Sequence, residues 1–165
     1  MIKMAPLYLE LKKRPAFRPL LLSTGQHKEM LYQVCDMFGI HPDYDLQIMK
    51  EKQDLFDITT AILSKARNLL ISIHPDLVLV HGDTTSSFVL SLACFYMQIP
   101  VGHVEAGLRT YNLFSPDPEE YNRQAVDIVS KFYFAPTALS RENLIREGKS
   151  ESSIYVTGNT VIDAM

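Results

Sequence analysis

The chain has 165 residues, of which 47% are hydrophobic and 21% charged, and its formal net charge at pH 7 is −3. This balance is typical of a globular protein, and no apolar run reaches the ~18 residues of a membrane-spanning helix. The slight acidity provides no basic surface for nucleic acid, and the first residues lack the apolar segment of a secretory signal. We therefore predict a single cytoplasmic domain that binds neither nucleic acid nor a membrane.

The pattern of the first part of the chain predicts two helices with a short strand between them, followed by a loop and a third helix. Helical spacing of apolar residues covers residues 4–11 and 26–38, and a short apolar run at 20–23 lies between them. Proline and aspartates interrupt the periodicity at 41–52, which predicts a loop. A broad apolar face then predicts a helix at 54–72.

The remainder alternates strands with helices. Strands are predicted at 77–80, 100–105, 132–135 and 154–157, and helices at 88–97, 118–130, 137–147 and from residue 158 onward. The continuous apolar run at 77–80 is typical of a strand buried on both faces of a parallel sheet. Because no hairpin turn joins two strands, the pattern predicts an α/β fold with a doubly wound parallel sheet.

The sequence has no strong signature of a metal centre or of a nucleotide cofactor. Cys35 and Cys94 lie in apolar helical patterns without CxxC spacing, which predicts buried thiols instead of a disulfide or a metal site. The chain also lacks the GxGxxG fingerprint and the Walker A loop. We therefore expect no dinucleotide cofactor and no ATP.

Polar side chains follow two neighbouring strands where each strand ends. The strand at 77–80 runs into the sequence HGD at 81–83, and the strand at 100–105 ends in HVE. Ligands of parallel sheets bind beyond these strand ends, and an extended chain would place each histidine and its carboxylate on one face. Two hypotheses follow, a divalent metal site or acid–base catalysis by Asp83 and Glu105. The spacing matches no strong metal-ligand pattern, which favours catalysis.

The two histidines, His81 and His103, are weaker candidates than the carboxylates. A hydrogen bond from each ring to a neighbouring loop explains them equally well. Charged Asp83 and Glu105, by contrast, need partners at the end of a buried apolar strand.

The loop at 103–123 gathers further charges. Glu119 and Glu120 stand there beside Arg109 and Arg123. The cluster is either part of a site or a solvated loop whose ion pairs contribute ~0–1 kcal/mol each.

Five segments, in this order and spacing, resemble the bacterial non-hydrolysing UDP-N-acetylglucosamine 2-epimerases: LVLVHGDTTSS, PVGHVEAGLRT, SPDPEEYNR, FAPT and IYVTGNTVIDA. The similarity runs nearly from end to end. It implies a Rossmann-like domain that forms one half of a GT-B-type two-domain fold, with the active site between the halves. Measured against the family pattern, the chain starts after the first strand and stops before the second domain. The resemblance therefore implies an N-terminal fragment that is inactive alone.

For the complete protein, the resemblance implies interconversion of UDP-GlcNAc and UDP-ManNAc by inversion at C2. The reaction eliminates UDP, forms a 2-acetamidoglucal intermediate and adds UDP back, without a redox cofactor or a metal. The expected partners are the UDP-sugar substrate and, in the full-length enzyme, a second copy in a homodimer.

The site residues of the family fall on the following positions: the catalytic carboxylates on Asp83, Glu105 and Glu119, and the substrate-binding residues on Lys3 and Arg123, with His81 as a further candidate. Gln26 matches the pattern of a neighbouring regulatory site for UDP-GlcNAc. Glu29 and Lys52 depart from that pattern, which puts regulation in doubt.

Two alternatives remain open at the level of the sequence. The GT-B architecture is shared with glycosyltransferases, and fold alone does not separate the two activities. A non-catalytic nucleotide-sugar-binding remnant is the other alternative. The three carboxylates at the family's spacing favour the epimerase.

Overall fold

The computed structural model describes residues 2–25 and 28–164, with side chains at all of these except 28–31. Its helices and strands are α1 Ala5–Lys12, β1 Leu22–Ser23, α2 Lys28–Phe38, β2 Tyr44–Asp45, α3 Leu55–Ile73, β3 Val78–His81, α4 Thr85–Tyr96, β4 Val101–Val104, α5 Glu119–Val129, β5 Phe132–Ala135, α6 Ala138–Arg146 and β6 Ile154–Val156. All the strand pairs among the described residues are parallel, which confirms the predicted α/β class. None of these described helices is long and apolar enough to cross a membrane.

The chain divides into two compact units, of which the first comprises residues 1–54 and 159–165. Within the described part of this unit, β1 and β2 form a two-stranded parallel sheet. The predicted loop at 41–52 is thus wrong at β2. The pairing is made by the backbone and by Asp43, whose carboxylate accepts a 2.7 Å hydrogen bond from the amide of Leu21. Such pairing leaves no apolar periodicity in the sequence.

The second unit, residues 55–158, contains a four-stranded parallel sheet in the order β3-β4-β5-β6. All four residues of β4 are buried, because β4 has a neighbour on each side. The sequence predicts burial for both β3 and β4, which is confirmed for β4 and wrong for β3. β3 is an edge strand of this sheet, and only Val80 within it is fully buried.

Side-chain caps fix the starts of two helices in this unit. The hydroxyl of Thr137 accepts a hydrogen bond from the amide of Ser140 at 3.1 Å, which confirms Thr137 as the cap of α6. Thr84 accepts one from the amide of Ser87 at 3.2 Å, so α4 begins three residues before the predicted start. The helix predicted from residue 158 onward is wrong for the described residues, where 160–164 form turns.

Both cysteines are free thiols and fully buried, as predicted. Burial raises the pKa of Cys94 to about 12. The Cys94 thiol therefore stays protonated and unreactive at neutral pH.

Two glycines have nearly the same backbone conformation but different surroundings. Substitution of each one therefore distinguishes the cost of steric overlap from the cost of backbone strain. Gly107 and Gly148 have φ of +81° and +80°, but a Cβ at Gly107 would collide with the carbonyl oxygen of Ser140 and lie 2.9 Å from Cγ of Leu144. A Cβ at Gly148 would meet nothing within 4 Å. We expect Gly148→Ala to lower the free energy of unfolding by about 1 kcal/mol and Gly107→Ala by more than ~3 kcal/mol.

Urea denaturation of the two variants measures this difference. Equal losses would contradict the close packing of residue 107 on α6.

Candidate active site

The parallel register of β3 and β4 brings the ends of these two strands together. His81 pairs with Val104, and the amide of Gly82 donates a 2.9 Å hydrogen bond to the carbonyl of Val104. The side chain of Glu105 then lies beside the HGD turn, with its Oε2 atom 3.1 Å from Nε2 of His81. The HGD and HVE segments therefore meet at one edge of the sheet, as predicted.

The chain turns immediately after each strand instead of continuing extended. Gly82 and Glu105 have φ of +66° and +71°. The expectation of one shared face is therefore wrong for His103 and Glu105. His103 is fully buried, and its ring bonds to Asp127 and to the carbonyl of Gly82. This confirms the simple hydrogen-bonding role that the sequence allowed for His103.

His81 is the histidine that borders the site. Its side chain is 25% exposed, and its Nε2 atom is buried. This nitrogen lies within ion-pair distance of Glu105, but the angles do not make a hydrogen bond in the described structure. At 3.1 Å, a small rotation of the ring is enough to convert this contact into a hydrogen bond.

Arg123 links the start of α5 to the HGD turn. Its Nη2 atom lies 2.8 Å from Oδ2 of Asp83, and its Nε donates to the carbonyl of Glu119 at 3.3 Å. The side chain of Arg123 is 12% exposed and that of Asp83 is 31% exposed, so the ion pair is partly shielded from solvent. A cation is thus placed beside one of the candidate acids.

Glu119 and Glu120 have different environments although they are adjacent in the chain. Glu119 is half-buried in the first turn of α5, and its carboxylate has no hydrogen-bond or ion-pair partner among the described residues. Glu120 is fully buried and accepts hydrogen bonds from the amides of Thr110 and Tyr111, each at 3.0 Å, and from Gln124 at 2.7 Å. Glu119 has a carboxylate available for chemistry, while Glu120 holds the loop to the helix.

The protonation of Glu120 follows from these contacts. Burial raises the pKa of Glu120, but the hydrogen bonds from Gln124, Thr110 and Tyr111 and the nearby charge of Arg123 outweigh it. The pKa of Glu120 is therefore below its ordinary value, and the side chain is ionised at neutral pH.

Asn122 is a residue of this site that was not predicted from the sequence. Its side-chain amide donates a 2.9 Å hydrogen bond to the carbonyl of Asp83, and the residue is 2% exposed. Its position one turn of α5 from Glu119, on the buried side, is the only signal that could have indicated it.

Three other sequence candidates have different outcomes. Arg109 has its side chain buried against Asp127 and Glu147. Lys3 belongs to the other compact unit, where its carbonyl accepts a hydrogen bond from Thr160. Gln26 lies outside the described residues.

The chemistry available at this edge is acid–base chemistry on a polar substrate. The carboxylates of Glu105 and Asp83 lie beside His81 and Arg123, respectively, and Glu119 lies one turn before Arg123 on α5. In the described part of the chain, no group of three or more histidine, cysteine, aspartate or glutamate side chains is arranged to hold a metal ion. Carboxylates can transfer protons, and a guanidinium can bind phosphate.

The family model for UDP-N-acetylglucosamine 2-epimerase matches residues 9–165. The chain belongs to this epimerase family. It is 56% identical to the UDP-N-acetylglucosamine 2-epimerase of Bacillus subtilis over 99% of the chain, and 54% identical to that of Escherichia coli K12. The alignments cover 43% and 44% of those two epimerases, so the chain spans less than half their length.

Solved epimerase structures share the fold. The chain superposes with a TM-score of 0.95 on the Neisseria meningitidis UDP-GlcNAc 2-epimerase bound to UDP-GlcNAc, at 55% identity over 99% of the chain and 44% of that structure. The TM-score is 0.92 for the Methanocaldococcus jannaschii enzyme in complex with UDP-GlcNAc and UDP, at 34% identity and the same coverage. The Rossmann-like half of a GT-B-type fold, implied by the resemblance, is therefore confirmed.

Substitution of the two adjacent glutamates should affect stability very differently. Glu120→Ala leaves three partly buried donors without their fully buried acceptor, so we expect the free energy of unfolding to fall by about 2–4 kcal/mol. Glu119→Ala breaks no contact between described side chains and should change it by less than about 0.5 kcal/mol. Chemical denaturation of both variants measures the difference, and a larger loss for Glu119→Ala would contradict the assignment.

The stabilisation by Glu120 should depend on pH. Because its pKa is lowered in the folded state, the ionised group stabilises the fold above the ordinary glutamate value of ~4.3 and loses this effect as the pH falls through the folded value. The stability difference between wild type and Glu120→Gln should thus shrink below pH ~4. Denaturation between neutral and acidic pH tests this, and a constant difference would show that the Glu120 charge has no role.

Proposed function

We propose that this chain supplies the acid–base residues of an enzyme that interconverts UDP-GlcNAc and UDP-ManNAc by inversion at C2. The observation that carries the proposal is the meeting of Asp83 and Glu105 at the ends of adjacent parallel strands, with Arg123 and Glu119 beside them on α5. Membership of the epimerase family supports the choice of reaction over the glycosyltransfer that related folds perform.

The reaction needs a base on one face of the sugar ring and an acid on the other. A carboxylate removes the proton from C2, the bond between C1 and the UDP oxygen breaks, and a 2-acetamidoglucal forms. UDP then adds back to C1, and a second group delivers a proton to the opposite face of C2. The weak acidity of the C2 proton makes a positioned base necessary. Asp83, Glu105 and Glu119 are the groups proposed for these proton transfers.

The positively charged groups have a separate role. The departing UDP carries negative charge on its phosphate oxygens, which a guanidinium stabilises by hydrogen bonds. We assign this role to Arg123, since its side chain is mostly buried and held by Asp83 and the Glu119 carbonyl. Lys3 and His81 are the further substrate-binding residues of the proposal, and Gln26 belongs to its regulatory site.

Two properties of the complete enzyme belong to the same proposal. A homodimer is supported by exposed aromatic residues beside the groove between α3 and α4, namely Phe56, Phe95 and Tyr96. Action in the cytoplasm is supported by the two free thiols, Cys35 and Cys94, since oxidising compartments favour disulfides.

A chimeric enzyme tests the proposed function directly. In this chimera the segment of the Bacillus subtilis epimerase that aligns with the chain, 43% of its length, is replaced by the chain itself. We expect the chimera to convert UDP-GlcNAc to UDP-ManNAc in a coupled assay. Asp83→Asn, Glu105→Gln and Glu119→Gln should each lower kcat by at least ~100-fold, because each removes a proton-transfer group.

Glu142→Gln is the matched control. Glu142 is an exposed carboxylate on α6 and is not one of the residues proposed for the site, so its loss should leave kcat unchanged. Near-normal rates in all three site variants would refute the proposal, as would an inactive chimera that is folded and binds UDP.

A further inference from the structure

Four charged side chains form a cluster behind the candidate active site. The side chains of His103, Arg109 and Asp127 are at most 1% exposed, and Glu147 covers Arg109 from the end of α6. Arg109 binds both carboxylate oxygens of Glu147 and one of Asp127, each at 2.7 Å. Because His103, Arg109 and Asp127 are closed off from solvent, none of these three can exchange a proton with a substrate directly, and only Glu147 is partly exposed.

Asp127 is ionised within this cluster. Its carboxylate accepts hydrogen bonds from Nδ1 of His103 at 2.6 Å, from Arg109 at 2.7 Å and from the amide of Gly107 at 3.2 Å. Burial raises the pKa of Asp127, but the charges and hydrogen bonds of His103 and Arg109 outweigh it, and the pKa is below its ordinary value. An ionised carboxylate only accepts hydrogen bonds, so Nδ1 of His103 must carry a proton.

The other ring nitrogen of His103 must carry a proton as well. Nε2 lies 2.9 Å from the carbonyl oxygen of Gly82, which can only accept. Both ring nitrogens of His103 are therefore placed to donate hydrogen bonds, one to Asp127 and one to Gly82. Tyr133 also packs here, but burial raises its pKa to about 12 and its hydroxyl donates to the Asp127 and Ser130 carbonyls, so it stays neutral.

The Gly82 carbonyl belongs to the peptide that leads into Asp83. Gly82 has φ of +66°, so this peptide lies in a turn outside the regular sheet. On its far side, the carbonyl of Asp83 accepts from Asn122 at 2.9 Å. The backbone of Asp83 is thus held before and after its Cα, with its carboxylate 2.8 Å from Arg123.

We propose that His103 is a positioning residue for the epimerase reaction: its buried ring, held by Asp127, donates a hydrogen bond to the Gly82 carbonyl and so fixes the carboxylate of Asp83 relative to Glu105. This inference rests on the proposed function. It assigns a role at the site to a histidine that cannot itself reach the substrate.

Two substitutions separate this role from simple core packing. The amide nitrogen of an asparagine can replace Nδ1 and keep the bond to Asp127, but it does not reach Gly82. A glutamine places its amide near the position of Nε2, so it can keep the bond to the Gly82 carbonyl and lose the one to Asp127. A purely structural role, which depends on the buried ion pair, makes His103→Asn the milder change. The positioning role makes His103→Gln the milder change.

In the chimeric enzyme we expect His103→Asn to lower kcat by about 10- to 100-fold at nearly constant KM, and His103→Gln to lower it by less than about fivefold. Both variants should retain the circular dichroism spectrum of the parent. Equal losses, a loss confined to KM, a milder effect of His103→Asn, or unfolding of both variants would each overturn the positioning role.

Nuclear magnetic resonance of the same chimera tests the inference without relying on activity. Because each ring nitrogen of His103 faces a hydrogen-bond acceptor, both should carry a bonded proton. The amide signal of Asp83 should shift more in His103→Asn than in His103→Gln. A ring with one unprotonated nitrogen, or an Asp83 signal unmoved in His103→Asn, would overturn the inference. An inactive parent chimera would overturn the proposed function. The spectra would still test whether His103 holds the peptide that leads into Asp83.

Discussion

The candidate site depends on the parallel alignment of β3 and β4. Because His81 pairs with Val104, the turn after one strand meets the first residue after the other. The two turns have left-handed backbone conformations at Gly82 and Glu105, which direct Asp83 toward α5 and Glu105 toward His81. A shift of this register by one residue would move each of these side chains to the opposite face of the sheet.

Buried charged side chains hold the loops around the candidate site, which the hydrogen bonds of the sheet do not reach. Glu120 binds the loop at 110–111 to α5, and Asp127 binds the turn at Gly107 together with Arg109 and His103. Each buried carboxylate accepts several donors, which offsets the loss of hydration that burial imposes. Loops that would otherwise be mobile are thereby held against α5, the helix that carries Glu119 and Arg123.

The sequence predicted the helices and most strands, because apolar periodicity and caps such as Thr137 are local signals. It missed β2, whose two residues pair through the backbone and through Asp43. At the site, strand ends indicated Asp83 and Glu105, but Asn122 and the partners of His103 were not predictable. Those contacts join residues 21 to 39 positions apart, and no pattern in one sequence records them.

The central claim is that these carboxylates remove and restore the C2 proton of a UDP-sugar. Incubation of the chimeric enzyme with UDP-GlcNAc in heavy water tests it most directly, with mass spectrometry of the recovered sugars. Proton removal by a carboxylate that exchanges with solvent predicts one deuterium at C2 in UDP-ManNAc. UDP-ManNAc formed without deuterium at C2 would contradict the account.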